Sequence, residues 1–152
     1  MQKTVNIQNK RARFDFELLE TYSAGIVLTG TEIKSIRAGK ATITESFCEF
    51  HNNELFLINS YIEEYTFGNQ FNHKSRSERK LLLQKRELRS LYKSVQTKGL
   101  TIVPLRLFTN EKGLAKLDIA LARGKKTYDK RETLKASDTK RDLDRIKKAF
   151  NS

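Results

Sequence analysis

The sequence is poor in the residues that build most metal and redox centres. Its 152 residues include one cysteine, two histidines, one methionine and no tryptophan. The lone Cys48 has no partner for an internal disulfide, and a structural zinc module would need several more cysteine or histidine ligands. We therefore expect no metal and no cofactor.

Long apolar runs are missing as well. Runs such as 25–28 and 81–83 fall far short of the roughly 20 residues that a membrane-spanning helix needs. The first residues, Met1 to Asn6, lack the apolar stretch of about 7–15 residues that defines a signal peptide. We expect a cytoplasmic protein with no membrane partner.

Candidate catalytic groups are few and scattered. His51 falls at the end of a predicted strand and His73 in a predicted loop, and no serine stands in a nucleophile elbow. Cys48 alternates with Phe50 on a predicted strand, which favours packing as a small apolar residue. The glycines never form a phosphate-binding loop. The sequence therefore predicts no catalytic residue and no enzyme.

Positive charge is abundant. Thirty lysines and arginines against eighteen acids leave a formal net charge of +12, which predicts attraction to polyanions. The basic residues form clusters without acidic counterparts, at Lys10–Arg13, Lys34–Lys40, Lys85–Arg86, Lys125–Lys126 and Lys130–Arg131. Aromatic residues outside the predicted core could stack on unpaired bases: Tyr61, Tyr65, Phe67, Phe71 and Tyr128. Composition therefore favours a nucleic-acid partner.

Two capping boxes predict helices. Thr29 and Glu32 open a short helix that Gly39 ends. Ser75 and Glu78 open a longer one over about 77–97, whose apolar residues share one face: Leu81, Leu88, Leu91, Tyr92 and Val95.

Alternating apolar residues predict strands. One strand is expected from Phe14 to Leu28. A hairpin is expected over 42–51 and 54–62 around Asn52-Asn53, and a second over 100–108 and 114–121. Pro104 in the second hairpin indicates an edge or a bulge. Residues 63–76 are expected to form a long loop.

These elements predict a mainly β protein with helices. Residues 1–12 are expected to be a basic N-terminal arm of marginal order, and 13–122 a closed antiparallel oligonucleotide-binding-like β-barrel flanked by two to three helices. Residues 123–152 hold eleven Lys or Arg and five acids. Their few large apolar residues include a narrow helical stripe of Leu143, Ile146 and Phe150. We expect a basic C-terminal tail that is disordered when free and ordered on a partner.

Several stretches, in the same order, resemble the small protein B (SsrA-binding, or tmRNA-binding, protein) family of bacterial trans-translation. They run from about residue 8 to the C-terminus and include Asn9-Lys10-Arg11-Ala12, the segment 24–41 with Gly30-Thr31-Glu32-Ile33-Lys34, Phe71-Asn72-His73, Arg79-Lys80-Leu81-Leu82-Leu83, and Gly124-Lys125-Lys126 followed by Tyr128-Asp129-Lys130-Arg131.

The resemblance implies a non-enzymatic, monomeric RNA-binding barrel. Members bind the tRNA-like domain of tmRNA and, in a delivery complex with elongation factor Tu, bring it to ribosomes stalled without an A-site codon. Their C-terminal tail enters the empty mRNA channel beside small-subunit rRNA at the decoding centre and becomes helical there.

The resemblance also assigns residues. Those expected to bind tmRNA are Asn9, Lys10, Arg11, Gly30, Thr31, Glu32, Lys34, Ser35, Arg37, Leu82, Gln84, Lys85 and Arg86. Those expected at the ribosomal decoding centre are Gly124, Lys125, Lys126, Tyr128, Asp129, Lys130, Arg131 and Ile146. The chain departs from the family pattern at two positions, since Ser23 stands where many members carry Glu, and Gln84 where Asn or His is usual.

Two other functions stay open on the sequence. One is a general RNA-binding barrel of the translation machinery without preference for tmRNA. The other is a protein-interaction module whose basic tail docks on an acidic partner.

Overall fold

Strands account for most of the regular secondary structure in the computed structural model, which describes residues 4–67 and 72–125. The strands are β1 (Asn6–Gln8), β2 (Phe16–Ile26), β3 (Ala41–Thr42), β4 (Phe47–His51), β5 (Glu54–Ile58), β6 (Tyr61–Ile62), β7 (Arg79–Leu82), β8 (Leu100–Thr109) and β9 (Ala115–Gly124). The helices are α1 (Ala12–Asp15), α2 (Gly30–Arg37) and α3 (Lys85–Val95). The prediction of a mainly β protein with few helices is confirmed.

Six strands form a closed ring of antiparallel pairings. The order around the ring is β8, β4, β5, β7, β2 and β9, and β9 pairs again with β8. β1 pairs with the second half of β8, and β3 pairs with β6 in a separate two-stranded sheet. Closing the sheet on itself removes most exposed strand edges.

The interior of the ring holds the main hydrophobic core. Leu117 and Ile119 of β9, Leu107 of β8 and Leu57 of β5 are each at most 1% exposed. Leu91 of α3 belongs to the same buried cluster. Burying a side chain of this size stabilises the fold by about 1.5–3 kcal/mol. On the outer surface, Ala12 of α1 packs against a smaller cluster of Val103, Ala120 and Ala122.

Most of the local predictions are confirmed. The capping box at the start of α2 is present, and Gly39, with a φ of 75°, follows its end. β4 and β5 form the predicted hairpin around Asn52 and Asn53, whose φ angles are 52° and 66°. The register of β8 shifts just after Pro104, at the predicted bulge.

The predicted helix over 77–97 is wrong in its first part. Residues 79–82 form β7, in which Arg79 and Leu81 are buried while Lys80 and Leu82 are exposed, the alternation of a strand. β7 pairs with both β5 and β2, and these pairings complete the ring. The helix begins only at Lys85, and its capping box is formed by Gln84 and Glu87 instead of Ser75 and Glu78.

Two expectations for the N-terminal region are also wrong. Residues 6–8, expected to be of marginal order, form β1 in register with Arg106–Phe108 of β8. Phe14, expected to begin a strand, belongs to the short helix α1, which packs through the buried Ala12. The predicted start of the C-terminal tail at residue 123 is wrong, because Arg123 and Gly124 belong to β9 and pair with β2. The rest of the predicted tail, from residue 126 onward, lies outside the described residues. Within residues 4–67 and 72–125 no helix is long and apolar enough to cross a membrane.

Candidate nucleic-acid interface

A buried ion pair fixes the helix α2. Glu32 has one carboxylate oxygen in the capping box, where Oε1 accepts a hydrogen bond from the backbone N–H of Thr29 at 2.8 Å. Its other oxygen, Oε2, accepts from Nε of Arg79 on β7. The side chains of Glu32 and Arg79 are only 5% and 1% exposed. The start of α2 is therefore held against the ring.

The two Nη atoms of Arg79 donate hydrogen bonds to Ser60 and to the backbone that leads into β7. Its Nη1 donates to the hydroxyl of Ser60 at 2.9 Å and to the carbonyl of Ser77 at 3.0 Å. Its Nη2 donates to the carbonyls of Lys74 and Ser75. One side chain thus joins α2, β7 and the residues that precede β7, and so sets the position of Leu82 relative to α2.

A cleft of about 400 Å³ lies beside α2. Leu82 and Leu114 line it and are 51% and 56% exposed, while Arg37 and Lys116 add positive charge. Gly25 of β2 stands opposite Leu82, and a Cβ at this position would lie 3.4 Å from the Leu82 Cβ. The absence of a side chain at Gly25 keeps the cleft open.

Arg37 connects the end of α2 to the β8–β9 turn. Its Nη2 donates a hydrogen bond to the carbonyl of Gly113 at 3.0 Å. Its Nε is buried and finds no partner among the described residues. A buried donor without an acceptor is uncommon. Because Nε is closed off from the cleft, Arg37 contributes its positive charge there and not this N–H group.

A second cleft, of about 470 Å³, lies between α1 and β8 and has Lys10 and Arg13 on its wall. The base of this cleft includes Arg106, whose Nε donates to the Asp118 carboxylate at 2.8 Å. Asn9 supports the wall because its Nδ2 donates to the carbonyl of Pro104 at 2.9 Å and its Oδ1 accepts from the Arg11 N–H at 3.2 Å.

The two clefts share the outer face of β2 and β9. Lys116 in the first cleft and Asp118 in the second are two residues apart on β9, so their side chains point to the same face. Directly opposite them on β2 are Gly25 and the exposed Ser23. The arrangement forms one continuous surface with apolar and cationic side chains, which we call the two-cleft face.

Most of the predicted tmRNA-binding residues lie at the surface, and three of them are buried. Exposed or partly exposed are Lys10, Arg11, Gly30, Thr31, Lys34, Arg37, Leu82, Gln84, Lys85 and Arg86. Asn9, Glu32 and Ser35 are buried, at 9%, 4% and 1% exposure. Asn9 and Glu32 support the surface through hydrogen bonds, whereas the Ser35 hydroxyl has no hydrogen-bond partner among the described residues.

Of the residues predicted at the ribosome, Gly124 and Lys125 are described. Gly124 ends β9 opposite Phe16, and the backbone N–H of Lys125 donates to the carbonyl of Asp15 at 3.0 Å. Lys125 Nζ donates to the carbonyl of Arg13 at 2.8 Å. The C-terminal segment therefore leaves the ring beside the second cleft. The others, Lys126, Tyr128, Asp129, Lys130, Arg131 and Ile146, lie outside the described residues.

Four residues of the two-cleft face were missed by sequence reasoning: Arg13, Leu114, Lys116 and Asp118. Arg13 was noted only as part of a basic cluster. Leu114, Lys116 and Asp118 alternate with the buried Leu117 and Ile119 on the second predicted hairpin. That alternation could have placed them on the outer face, but not beside α2, because the pairing of β9 with β2 is a long-range contact.

Two of the residues considered for catalysis, Cys48 and His73, are buried in the fold. Cys48 is buried at 5% exposure, and this burial raises the pKa of its thiol well above the usual range. His73 is buried, with Nδ1 2.9 Å from Thr31 Oγ1 and Nε2 2.9 Å from the carbonyl oxygen of Ile62. Across 4–67 and 72–125, no three His, Cys, Asp or Glu side chains group as metal ligands would.

The chain as a whole is similar to known proteins. A family model described as SmpB protein matches residues 6–149. A protein of Flavobacterium johnsoniae named SsrA-binding protein is 79% identical over 151 residues, which cover 99% of this chain and 100% of the relative. A Flavobacterium psychrophilum protein of the same name is 73% identical, with coverages of 99% and 100%.

A solved structure is also similar. It is described as "tmRNA-SmpB: a journey to the center of the bacterial ribosome", and one of its chains superposes with a TM-score of 0.69 at 50% sequence identity. The match covers 91% of this chain and 96% of that one.

Proposed function

The chain belongs to the SmpB protein family, and from this premise we propose that it binds tmRNA and acts in trans-translation on the ribosome. The relatives that match this chain over essentially their whole length are named SsrA-binding proteins. The observation that carries the proposal in this chain is the two-cleft face, which combines exposed apolar side chains with cations along one side of a closed ring of strands.

We assign the RNA contacts, on this face and on the neighbouring helices, by exposure and charge. Lys10, Arg11, Lys34, Lys85 and Arg86 are exposed and would neutralise phosphates, the main source of affinity in RNA binding. The positive end of the α2 dipole, at Gly30 and Thr31, favours a phosphate in the same region.

Apolar and amide groups complete the assigned interface. Leu82 offers an apolar surface to a base or ribose, and Arg37 adds a cation at the wall of the cleft. Gln84 adds an exposed amide next to Leu82. The buried Asn9 and Glu32 would act as positioning residues through their hydrogen bonds, and the buried Ser35 would act through packing alone.

The closed ring of six strands supports an oligonucleotide-binding-like barrel as the scaffold of this interface. The barrel would hold the tRNA-like domain of tmRNA in a complex with elongation factor Tu. Residues from Gly124 and Lys125 onward, including Lys126, Tyr128, Asp129, Lys130, Arg131 and Ile146, would then occupy the decoding centre and the mRNA channel. Such a role needs no catalytic residue and takes place in the cytoplasm, where ribosomes translate.

Competition between two RNAs tests the proposal. The labelled tRNA-like domain of tmRNA is bound to the protein and displaced with unlabelled tmRNA fragment or with bulk tRNA. A preference for the tmRNA fragment supports the assignment. Equal displacement by both RNAs would reduce the chain to a general RNA-binding barrel.

A further inference from the structure

The exposed side of α3 carries a concentrated positive charge. At about 100° per residue, the four cations Lys85, Arg86, Arg89 and Lys93 fall within one arc of about 100°. Leu91, on the opposite side of the helix, is buried in the core at 0% exposure. The cations extend over about 12 Å of helix axis, at 1.5 Å per residue, and thus offer a basic surface long enough to follow more than one phosphate.

This charge is not neutralised within the described part of the chain. The ion pairs there involve other cations, such as Arg79, Lys80, Arg106 and Arg123. The one acid in α3, Glu87, accepts a hydrogen bond from the backbone N–H of Gln84 at 3.0 Å and lies away from the basic arc. The four cations are therefore available to an outside polyanion.

A small aromatic cleft borders the same surface. It has a volume of about 210 Å³ and is lined by Phe50, Asn53, Leu88, Arg89 and Tyr92. Tyr92 is 46% exposed and packs edge-on against Phe50, with the ring centroids 5.3 Å apart. The Phe50 contact holds the tyrosine ring in place while leaving part of it open to a ligand. We call this site the α3 cleft.

We infer that the α3 cleft binds an unpaired nucleobase of tmRNA, stacked on Tyr92, with Arg89 on its phosphate and Asn53 at the base edge. The inference rests on the proposed function, because it assumes tmRNA as the partner, and it extends the interface beyond Lys85 and Arg86 to residues that the resemblance did not assign.

The size and chemistry of the cleft both favour this occupant. Clefts for drug-sized ligands usually hold about 300–1,000 Å³, so 210 Å³ restricts the occupant to a single flat ring system. An aromatic face beside a basic strip is the arrangement by which proteins bind unpaired bases. The side-chain amide of Asn53 supplies both a donor and an acceptor for a base edge. An acidic peptide with an aromatic residue is the competing occupant.

Substitutions at Tyr92 separate stacking from packing. Tyr92→Phe keeps the ring and is expected to bind the tRNA-like domain of tmRNA, or full-length tmRNA, as tightly as the unmodified protein. Tyr92→Leu keeps an apolar side chain against Phe50 and is expected to lose roughly 5- to 150-fold in affinity, the usual effect of removing one stacked base. Thermal unfolding of both variants shows whether the fold is retained.

The absence of tryptophan makes a direct optical test possible. Tyr92→Trp introduces a single tryptophan at the cleft, and base stacking should quench its emission in a saturable way as tmRNA is added. Phe47→Trp is the matched control, because Phe47 is 40% exposed but does not line the cleft. Its emission should change little at the same RNA concentrations.

The charge at Arg89 gives a third readout. Arg89→Gln is expected to reduce the slope of log affinity against log salt by about one. The control is Arg76→Gln, because Arg76 is an exposed cation that lines neither the α3 cleft nor the two clefts of the two-cleft face. This variant should leave the slope unchanged.

Several outcomes would overturn the inference. The first is a folded Tyr92→Leu variant that binds tmRNA as tightly as the unmodified protein. If the unmodified protein still prefers tmRNA over tRNA in that case, the proposed function stands and only the α3 cleft assignment is wrong. If Tyr92→Leu loses affinity only for ribosomes, the base belongs to rRNA. If it loses affinity only for an acidic aromatic peptide, the cleft is a protein site. If the unmodified protein itself shows no preference for tmRNA, the proposed function is wrong, and the inference that rests on it is wrong with it.

Discussion

Arg79 and Glu32, 47 residues apart in the sequence, form an ion pair that is almost completely removed from solvent. Burying two charges is unfavourable unless their remaining donors and acceptors are bound. Here the carboxylate also caps α2, and the guanidinium also binds Ser60, Lys74, Ser75 and Ser77. The pair therefore stabilises the arrangement of α2 and β7 on which the two-cleft face is built.

Removing one member of this pair should destabilise the fold strongly. Glu32→Gln leaves the buried guanidinium without its counter-charge, and we expect a loss of about 3–5 kcal/mol in the free energy of unfolding measured with urea. Glu54→Gln is the matched control, because Glu54 and Lys80 form an exposed pair, and it should cost at most about 1 kcal/mol. Equal effects of the two substitutions would contradict a structural role for the buried pair.

Most of the local structure could be predicted from short stretches of sequence. The Thr29–Glu32 capping box and the Asn52-Asn53 turn depend on contacts within a few residues, and both were identified correctly. The strand β7 could not be identified in this way. Arg79–Leu82 is adjacent to a helix-forming segment, and its strand conformation depends on pairing with β5 and β2 and on the Glu32 contact, all of them long-range.

The candidate site was predictable in its residues but not in its shape. Charge and resemblance indicated Arg37 and Leu82, yet only the pairing of β2 with β7 and β9 brings Lys116 into the same cleft. Sequence also gave no indication that Glu32 is buried, because a charged residue is normally expected at the surface.

Asp118 should supply the carboxylate that this chain lacks at position 23 of β2. Ser23 stands where the family often carries Glu, and Asp118 lies directly opposite it, 28% exposed, with Oδ2 bound to Arg106. We expect Asp118→Asn to weaken binding to the tRNA-like domain about tenfold or more, the usual effect of losing a hydrogen bond to a charged group.

The sign of this effect distinguishes two explanations. If general electrostatic attraction dominates, removing an acid from a basic surface should strengthen binding instead. The variant Ser23→Glu with Asp118→Ser moves the carboxylate across the strand pair and should recover affinity. Tighter RNA binding by Asp118→Asn would contradict a direct role of the carboxylate.

The buried Cys48 predicts a loss of stability at alkaline pH. Burial raises the pKa of its thiol, so above the ordinary value of about 8.5 the unfolded chain loses a proton that the native protein keeps. The free energy of unfolding should therefore fall as pH rises beyond about 8.5, by up to roughly 1.4 kcal/mol per pH unit from this group. Below that pH the group should contribute no slope.

Cys48→Ala isolates this contribution. Between pH 8 and pH 10 the unmodified protein should lose about 2 kcal/mol more than the variant, as measured by urea unfolding at each pH. Tyr22, whose pKa is also raised by burial, is present in both proteins and cancels in the difference. Parallel pH profiles would contradict the predicted effect of burial on the thiol.

Deleting residues 129–152 should separate RNA binding from ribosomal function. The residues that we assign to tmRNA binding all lie before residue 126, so affinity for the tRNA-like domain should stay within about twofold if each lost cation contributes only weak, screened attraction. Peptide tagging on stalled ribosomes should be abolished. A tenfold or greater loss of tmRNA binding on deletion would contradict this division of roles. The single substitution Ile146→Asp should likewise impair tagging without affecting tmRNA affinity.

The most direct test of the account is the affinity of the full chain for the tRNA-like domain of tmRNA and for bulk tRNA across a salt series. With about eight phosphate contacts, log affinity should fall with log salt at a slope of roughly −6 to −7 for either RNA. We predict that the preference for the tmRNA domain persists at about 150–200 mM salt, where non-specific binding is weak. Equal affinities that fall together with salt would show that charge alone binds RNA, and would contradict the assignment of a tmRNA-binding face.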